Sequence, residues 1–326
     1  MSEKLTTEKS LELYETLFFV RRCEEYIIKH YPEDQMRTPM HMSFGQEAIP
    51  VGVCRALEDN SDTFASYRSH ATFLAQTLDS DSFFGELYGR MSGPAEGKGG
   101  SMHLSLPAKG HLLSSGVVAS PIPVGVGTAF ANRQLATGRA TAIFFGDGAV
   151  EEGGFWESLN AAAVFDLPVL FVCEDNNWAV HTPKDERHGF TSLRDAAALF
   201  DCHFYEDDSN DVEHVFTLTR RAVADAARRP RPVLMHLRCC RYLEHVGIDE
   251  DWDHGYRQTS ERSEWQAKDC LKIQRDRLLK KGLTAEELED TEAAINDGIA
   301  QSVARARQSP PPSPDRLHHG VFHEGR

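Results

Sequence analysis

Apolar positions along the chain alternate between two periods, and the switch points divide it into elements. Leu11, Tyr14, Leu17 and Phe18, with Tyr26 and Ile27 beyond them, recur at helical spacing and predict an amphipathic helix to about His30. Two prolines then bracket a loop, and a helix starts near Gln46. Phe64 to Tyr67 reads as a short strand, with a helix from about His70. Thr141 to Phe145 and Val169 to Cys173 are β-rich apolar runs. Between them, Gly153 to Phe165 carries Phe155, Leu159 and Ala162 at roughly helical spacing until Pro168 breaks the pattern. Further helices are predicted over Ile122 to Leu135, Thr191 to Phe200 and Val212 to Arg228, and a buried strand over 232–237. Thr284 and Glu287 form a capping box, and Leu288, Ile295, Ile299 and Val303 carry a helical stripe to about Arg307. The alternation predicts the α/β class, one domain over 1–308 with a mainly parallel sheet flanked by helices and helical extensions at both ends.

Two stretches escape this pattern. Residues 89–120 are glycine-rich and aperiodic, which predicts a loop. Residues 309–326 have no apolar periodicity and are expected to form a flexible tail, whose histidines are read as solvated.

The run from Thr141 to Val180 is therefore strand, acidic turn, helix, strand and polar turn. A right-handed crossover makes such strands parallel, so their carboxyl ends, carrying Asp147 and Asn176, open into one crevice. A carboxylate and a carboxamide oxygen facing each other suit magnesium, a hard cation that completes its shell with phosphate oxygens and water. The amides of Gly148 and Ala149 open the next helical segment and can meet a phosphate. Magnesium diphosphate is the implied ligand.

Composition narrows the setting. The chain has 326 residues and a formal net charge of −15, which argues against a nucleic-acid or anionic-membrane partner and requires any phosphate site to be local. Seven cysteines without a CxxC suggest neither a disulfide framework nor a zinc site. No stretch approaches the length of a membrane span, and the N-terminus lacks the character of a signal or presequence. A cytoplasmic protein is the expectation.

The GDG at 146–148, followed at this spacing by Asn176-Asn177, resembles the diphosphate motif of thiamine diphosphate enzymes. The flanking text, from about Leu11 to Ala306, resembles the alpha subunit of the decarboxylating component of 2-oxo acid dehydrogenases of the pyruvate, acetoin and branched-chain type. The resemblance implies a thiamine diphosphate-binding fold. It assigns magnesium to Asp147, Asn176 and the main-chain carbonyl of Trp178, and the diphosphate to Tyr67, Arg68, Gly148, Ala149 and His245. Gly116 and Val118 match the element that meets the aminopyrimidine. An arginine suits this role because its planar fork bonds two phosphate oxygens and keeps its charge. His41, His70 and His245 are the catalytic candidates, although His41 reads equally well as a loop histidine. Ser101 and His103 either shape the glycine-rich loop or touch ligand, and the helix from Ile122 presents small residues to an intrachain or a subunit contact. The chain departs from the family at Trp178, at Asn177 and at Glu244, a carboxylate expected to point away from the cofactor.

The resemblance further implies a partner. The glutamate that activates the aminopyrimidine comes from a beta subunit in two-chain members, so activity is expected only in a heterotetramer of two alpha and two beta chains, with a lipoyl-bearing acyltransferase as a further partner. A carboligase subunit passing the acyl group to an aldehyde, ketone or sugar is one alternative. A non-catalytic scaffold subunit is another.

Overall fold

The computed structural model describes residues 4–58 and 60–320. The helix α1 (Thr7–His30) is capped by the Thr6 side chain, and its apolar stripe buries Leu13, Leu17, Val20 and Ile27. α2 (Ala48–Leu57) is buried along its whole length. β1 (Ser61–Ser66) follows, then α3 (His70–Thr77) and α4 (Ser80–Leu87), separated by a left-handed Leu78. The glycine-rich stretch contains β2 (His111–Ser115). After it come α5 (Pro121–Gln134), β3 (Ala140–Gly146), α6 (Gly153–Val164) and β4 (Val169–Asp175). A two-stranded hairpin, β5 (Trp178–Ala179) and β6 (Thr182–Pro183), leads to α7 (Leu193–Ala197) and β7 (His203–Asp207). The chain continues through α8 (Val212–Arg228), β8 (Val233–Arg238), α9 (Thr259–Ala267), α10 (Cys270–Lys280) and α11 (Ala285–Gln308), the last with its capping box formed.

Six strands form one parallel sheet in the order β2-β1-β3-β4-β8-β7. Alternation along each strand sends side chains to opposite faces. Ala142, Phe144, Leu170 and Val172 join α1, α2, α3 and α8 in one core. Ile143, Phe145, Phe171 and Cys173 join α5, α6 and α7 in the other. Full burial of side chains of this size is worth about 1.5–3 kcal/mol each, so both layers hold the sheet from either side. The strand order reverses between β1 and β3, where one crossover leaves towards β2 and the chain returns on the other side. Ligands of open α/β sheets bind at the carboxyl ends of strands flanking such a point, and Arg68 and Asp147 stand there.

The glycine-rich stretch is built rather than slack. Glu86, on α4, accepts backbone N–H bonds from Ala95 at 2.8 Å, Gly97 at 3.2 Å, Gly99 at 2.7 Å and Gly100 at 3.1 Å. Glycine is required where the loop closes: a Cβ on Gly97 would lie 2.3 Å from the carbonyl carbon of Gly89, at a φ of +74°. The expectation of a flexible tail is corrected for residues 309–320. Met91 N–H donates to Pro310 O at 3.0 Å, Lys98 Nζ to His319 O at 2.7 Å, and Arg316 pairs with Glu96, so charge and backbone complementarity lay the segment along the loop. The end of the tail, 321–326, lies outside the described residues. Thr191 to Phe200, expected as one helix, is helical only over α7, and its polar half instead borders a crevice.

Candidate active site

β3 ends at Gly146, and Asp147 to Glu151 form one tight helical turn below it. β4 ends at Asp175, and the next residues close a small polar turn. There Asn177 N–H donates to Asp175 Oδ1 at 2.9 Å and Trp178 N–H to Asn176 Oδ1 at 3.0 Å. Gly146 and Glu174 are paired in register, so the two turns are adjacent and their polar groups converge. A cavity of about 250 Å³ opens between them, lined among others by Tyr67, Arg68, Val118, Asp147, Asn176 and His245. Gly148, Ala149 and Trp178 also line it. Ten positions were expected to bind cofactor, and all but Gly116 line this one cavity. Gly116 lies beside it in the chain, against His103 and Met102.

Electrostatics marks the cavity as a place for a cation and an anion together. Asp147 is 2% exposed. Burial and the neighbouring Asp175 raise its carboxyl above the usual range, against the Arg187 guanidinium that is bonded to it. Arg187 also bonds Glu151 and donates to Thr182 O at 3.0 Å. A positive group thus already pairs with the carboxylate at which a metal is expected. Across the cavity, Arg68 donates to Met42 O at 2.6 Å and His245 O at 3.0 Å, and no carboxylate pairs with it among the described residues. Burial and Arg241 draw its guanidinium down to about 10. Such a desolvated cation, bonded to two carbonyls and 3.4 Å from His245 Nδ1 but to no anion among the described residues, suits an entering phosphate. Glu174, in the same wall, is pushed up to about 8 by burial, with Arg68 opposing. Gly148 leaves a cradle that a Cβ would partly fill, 3.2 Å from the Ala179 methyl.

The three candidate histidines separate. His41 and His245 belong together, with ring centroids 5.4 Å apart and Tyr67 4.6 Å from His41. Burial first, then the charge of Arg68, lowers both imidazoles to about 3, so both are neutral near pH 7. His41 does not line the cavity, and its buried Nδ1 has no hydrogen-bond partner among the described residues. His70 is elsewhere. It is fully buried, its Nδ1 3.0 Å from Glu24 and its Nε2 2.7 Å from Ser101, so both nitrogens are committed and the ring holds the glycine-rich loop. Glu244 turns back on its own loop, accepting from Asp249 N–H at 3.3 Å, and does not line the cavity.

Sequence reasoning missed Arg187, Gln46 and Lys184. Gln46 accepts from Asn176 Nδ2 at 2.9 Å, and Lys184 bonds the Asp175 carboxylate that His236 also holds at 2.6 Å. Burial would raise Asp175, but His236 and Lys184 hold it below its usual range. Arg187 carried only the weak signal of a basic residue ten positions beyond the polar turn.

Residues 15–315 match the family model described as "Dehydrogenase E1 component". The chain belongs to the dehydrogenase E1 component family. It is 31% identical over 319 residues to the alpha subunit of acetoin:2,6-dichlorophenolindophenol oxidoreductase of Bacillus subtilis, covering 98% of this chain and 95% of the relative. It is 30% identical over 326 residues to the pyruvate dehydrogenase E1 component subunit alpha of Porphyra purpurea, covering 98% and 94%. The acetoin oxidoreductase alpha subunit of Cupriavidus necator is 31% identical over 324 residues. As an E1 alpha chain it carries a fold that binds thiamine diphosphate, and the carboligase and scaffold alternatives are not favoured. No helix among the described residues is long and apolar enough to cross a membrane.

Proposed function

We propose that this chain is the alpha subunit of a thiamine diphosphate-dependent 2-oxo acid dehydrogenase and holds the magnesium diphosphate half of the cofactor. The observation that carries the reading is one cavity in which a buried carboxylate, Asp147, faces a buried cation without a carboxylate partner, Arg68. Asp147, the Asn176 oxygen and the Trp178 carbonyl would hold the metal, and Tyr67, Arg68, His245 and the amides of Gly148 and Ala149 the diphosphate. Gly116 and Val118 would meet the pyrimidine. When bound, thiamine diphosphate supplies the nucleophilic carbon and the electron sink for loss of carbon dioxide from a 2-oxo acid.

The chain's own residues bind, orient and keep charge in place. Arg68, fixed by two carbonyls, orients the phosphate without reorganising. Arg187, now paired with Asp147 and Glu151, would have to give up Asp147 to a bound metal and would keep its pair with Glu151. His245, neutral, offers a ring nitrogen to the phosphate without adding charge, and His41, equally neutral behind it, is left for the substrate. His70 acts through the loop it anchors.

Two further parts belong to this proposal. A beta subunit supplies the activating glutamate in a heterotetramer, as the alpha-subunit names of the relatives support, and a lipoyl-bearing acyltransferase accepts the acyl group. A cytoplasmic setting goes with it. The test is dye reduction by the chain co-purified with its beta partner, magnesium and thiamine diphosphate, against 2-oxo acids from pyruvate to branched and longer ones. One acid should reduce the dye, and Asp147→Ala should abolish the signal. Activity in the isolated chain, or an unaffected Asp147→Ala variant, contradicts the reading.

A further inference from the structure

We infer that Gln46, together with the Trp178 N–H, holds the Asn176 carboxamide so that its oxygen, and not its nitrogen, meets the metal. This rests on the reading proposed above and names a positioning residue for the same site. A carboxamide presents two ends of nearly equal shape and opposite polarity, an acceptor oxygen and a donor NH2. Reversed, Asn176 would aim two N–H bonds at a cation.

Two contacts select the sense. Trp178 N–H, 3.0 Å from Asn176 Oδ1, can be met only by the oxygen, and it occupies one of two lone pairs. Gln46 Oε1, 2.9 Å from Nδ2, can be met only by the nitrogen. Gln46 and Asn176 are both buried and both line the cavity, so a lost partner there is not replaced cheaply by water.

The backbone that carries Gln46 is firmly held at the edge of the cavity. Its N–H donates to Ser43 O at 2.8 Å. Gly45 takes a φ of +94°, and a Cβ there would fall 2.5 Å from Cys240 O. Gly45 N–H donates to Glu47 Oε2 at 3.0 Å, and the buried Glu47 carboxylate is gripped by Arg21. Phe44 O accepts from Tyr242 N–H at 2.9 Å. Of the run Phe44-Gly45-Gln46-Glu47, three residues thus build the turn and only Gln46 reaches the site.

The experiment titrates Mn2+ into the full chain with its partner subunit and thiamine diphosphate, reading free metal by electron paramagnetic resonance, with the apparent KM for metal and kcat measured in parallel. Gln46→Met, similar in size but without a strong acceptor, should weaken metal binding by about 10–100-fold, the loss typical when the support of a metal ligand is removed, with the apparent KM for metal changing more than kcat. Gln46→Glu keeps an acceptor and should retain more metal binding than Gln46→Met. In an Asn176→Asp background both oxygens are alike and orientation no longer matters, so Gln46→Met should cost nothing further there. An equal loss in both backgrounds, or none in either, overturns the inference. Should Asp147→Ala bind Mn2+ as wild type does, the reading of the site fails first and takes this inference with it.

Discussion

Asp147 and Glu86 are both buried carboxylates beside glycine-rich backbone, 2% and 1% exposed, yet their partners differ in kind. Glu86 is surrounded by four backbone N–H groups of residues 95–100, donors that cannot leave without unfolding the loop. Asp147 is met by the side chain of Arg187, which can swing away, and by no fixed amide bond among the described contacts. Buried negative charge is costly unless paired, so both are neutralised. Only one is neutralised reversibly. A structural anion and a binding anion look alike in composition and burial, and differ in whether the compensating donor is main chain or side chain.

Substitution should split the two. Asp147→Asn is expected to weaken magnesium-dependent cofactor binding by more than about 100-fold, since a metal-binding carboxylate and a buried charge are lost together, while thermal stability in the absence of ligands changes little; calorimetric titration and a melting curve check both halves. Glu86→Gln should do the reverse. It leaves buried amides without an acceptor at about 1–3 kcal/mol, and hydrogen exchange at Ala95, Gly97, Gly99 and Gly100 should accelerate selectively. If Glu86→Gln instead mimics Asp147→Asn with unchanged exchange, the contrast fails.

Arg187→Met sharpens the comparison. With the competing guanidinium gone, magnesium should bind severalfold more tightly in the absence of cofactor, as metal titrations would show. Unchanged metal affinity would mean that Arg187 does not compete at Asp147.

How much of this could be read in advance depended on burial. Central strands β3, β4 and β8 are continuous apolar runs and were legible within one or two residues, as were α1, α8 and the capping box of α11. The edge strands β2 and β7 were not, because an edge needs apolar side chains on one face only and HFYED reads as surface. α4, α9 and α10 escaped for a related reason, being short or highly charged segments whose few apolar residues carry the packing. In the site, Asp147 and Asn176 were legible from strand-end position and spacing. Arg187 and Gln46 were not, since each meets its partner in the site across a large sequence separation. The tail was misread because its contacts are charge pairs and backbone bonds, which leave no periodic trace.

The smallest expected effect concerns pH. His41, His111 and His245 are each lowered to about 3, first of all by burial. The unfolded chain, with ordinary imidazoles near 6.5, binds more protons than the folded one between those values. Stability therefore rises with pH through that window and is lost as pH falls below about 6.5. The melting midpoint should be lower at pH 5 than at pH 7. His111 lies between Thr63 and Ser114, outside the cavity, so His111→Gln should reduce the slope without touching metal binding.

The most direct test of the central claim is calorimetric titration of thiamine diphosphate into the chain with its partner subunit, with and without magnesium, for wild type and Asp147→Ala. The site described here predicts tight binding only with magnesium and none in the variant. Equal binding without the metal, or in the variant, would contradict it.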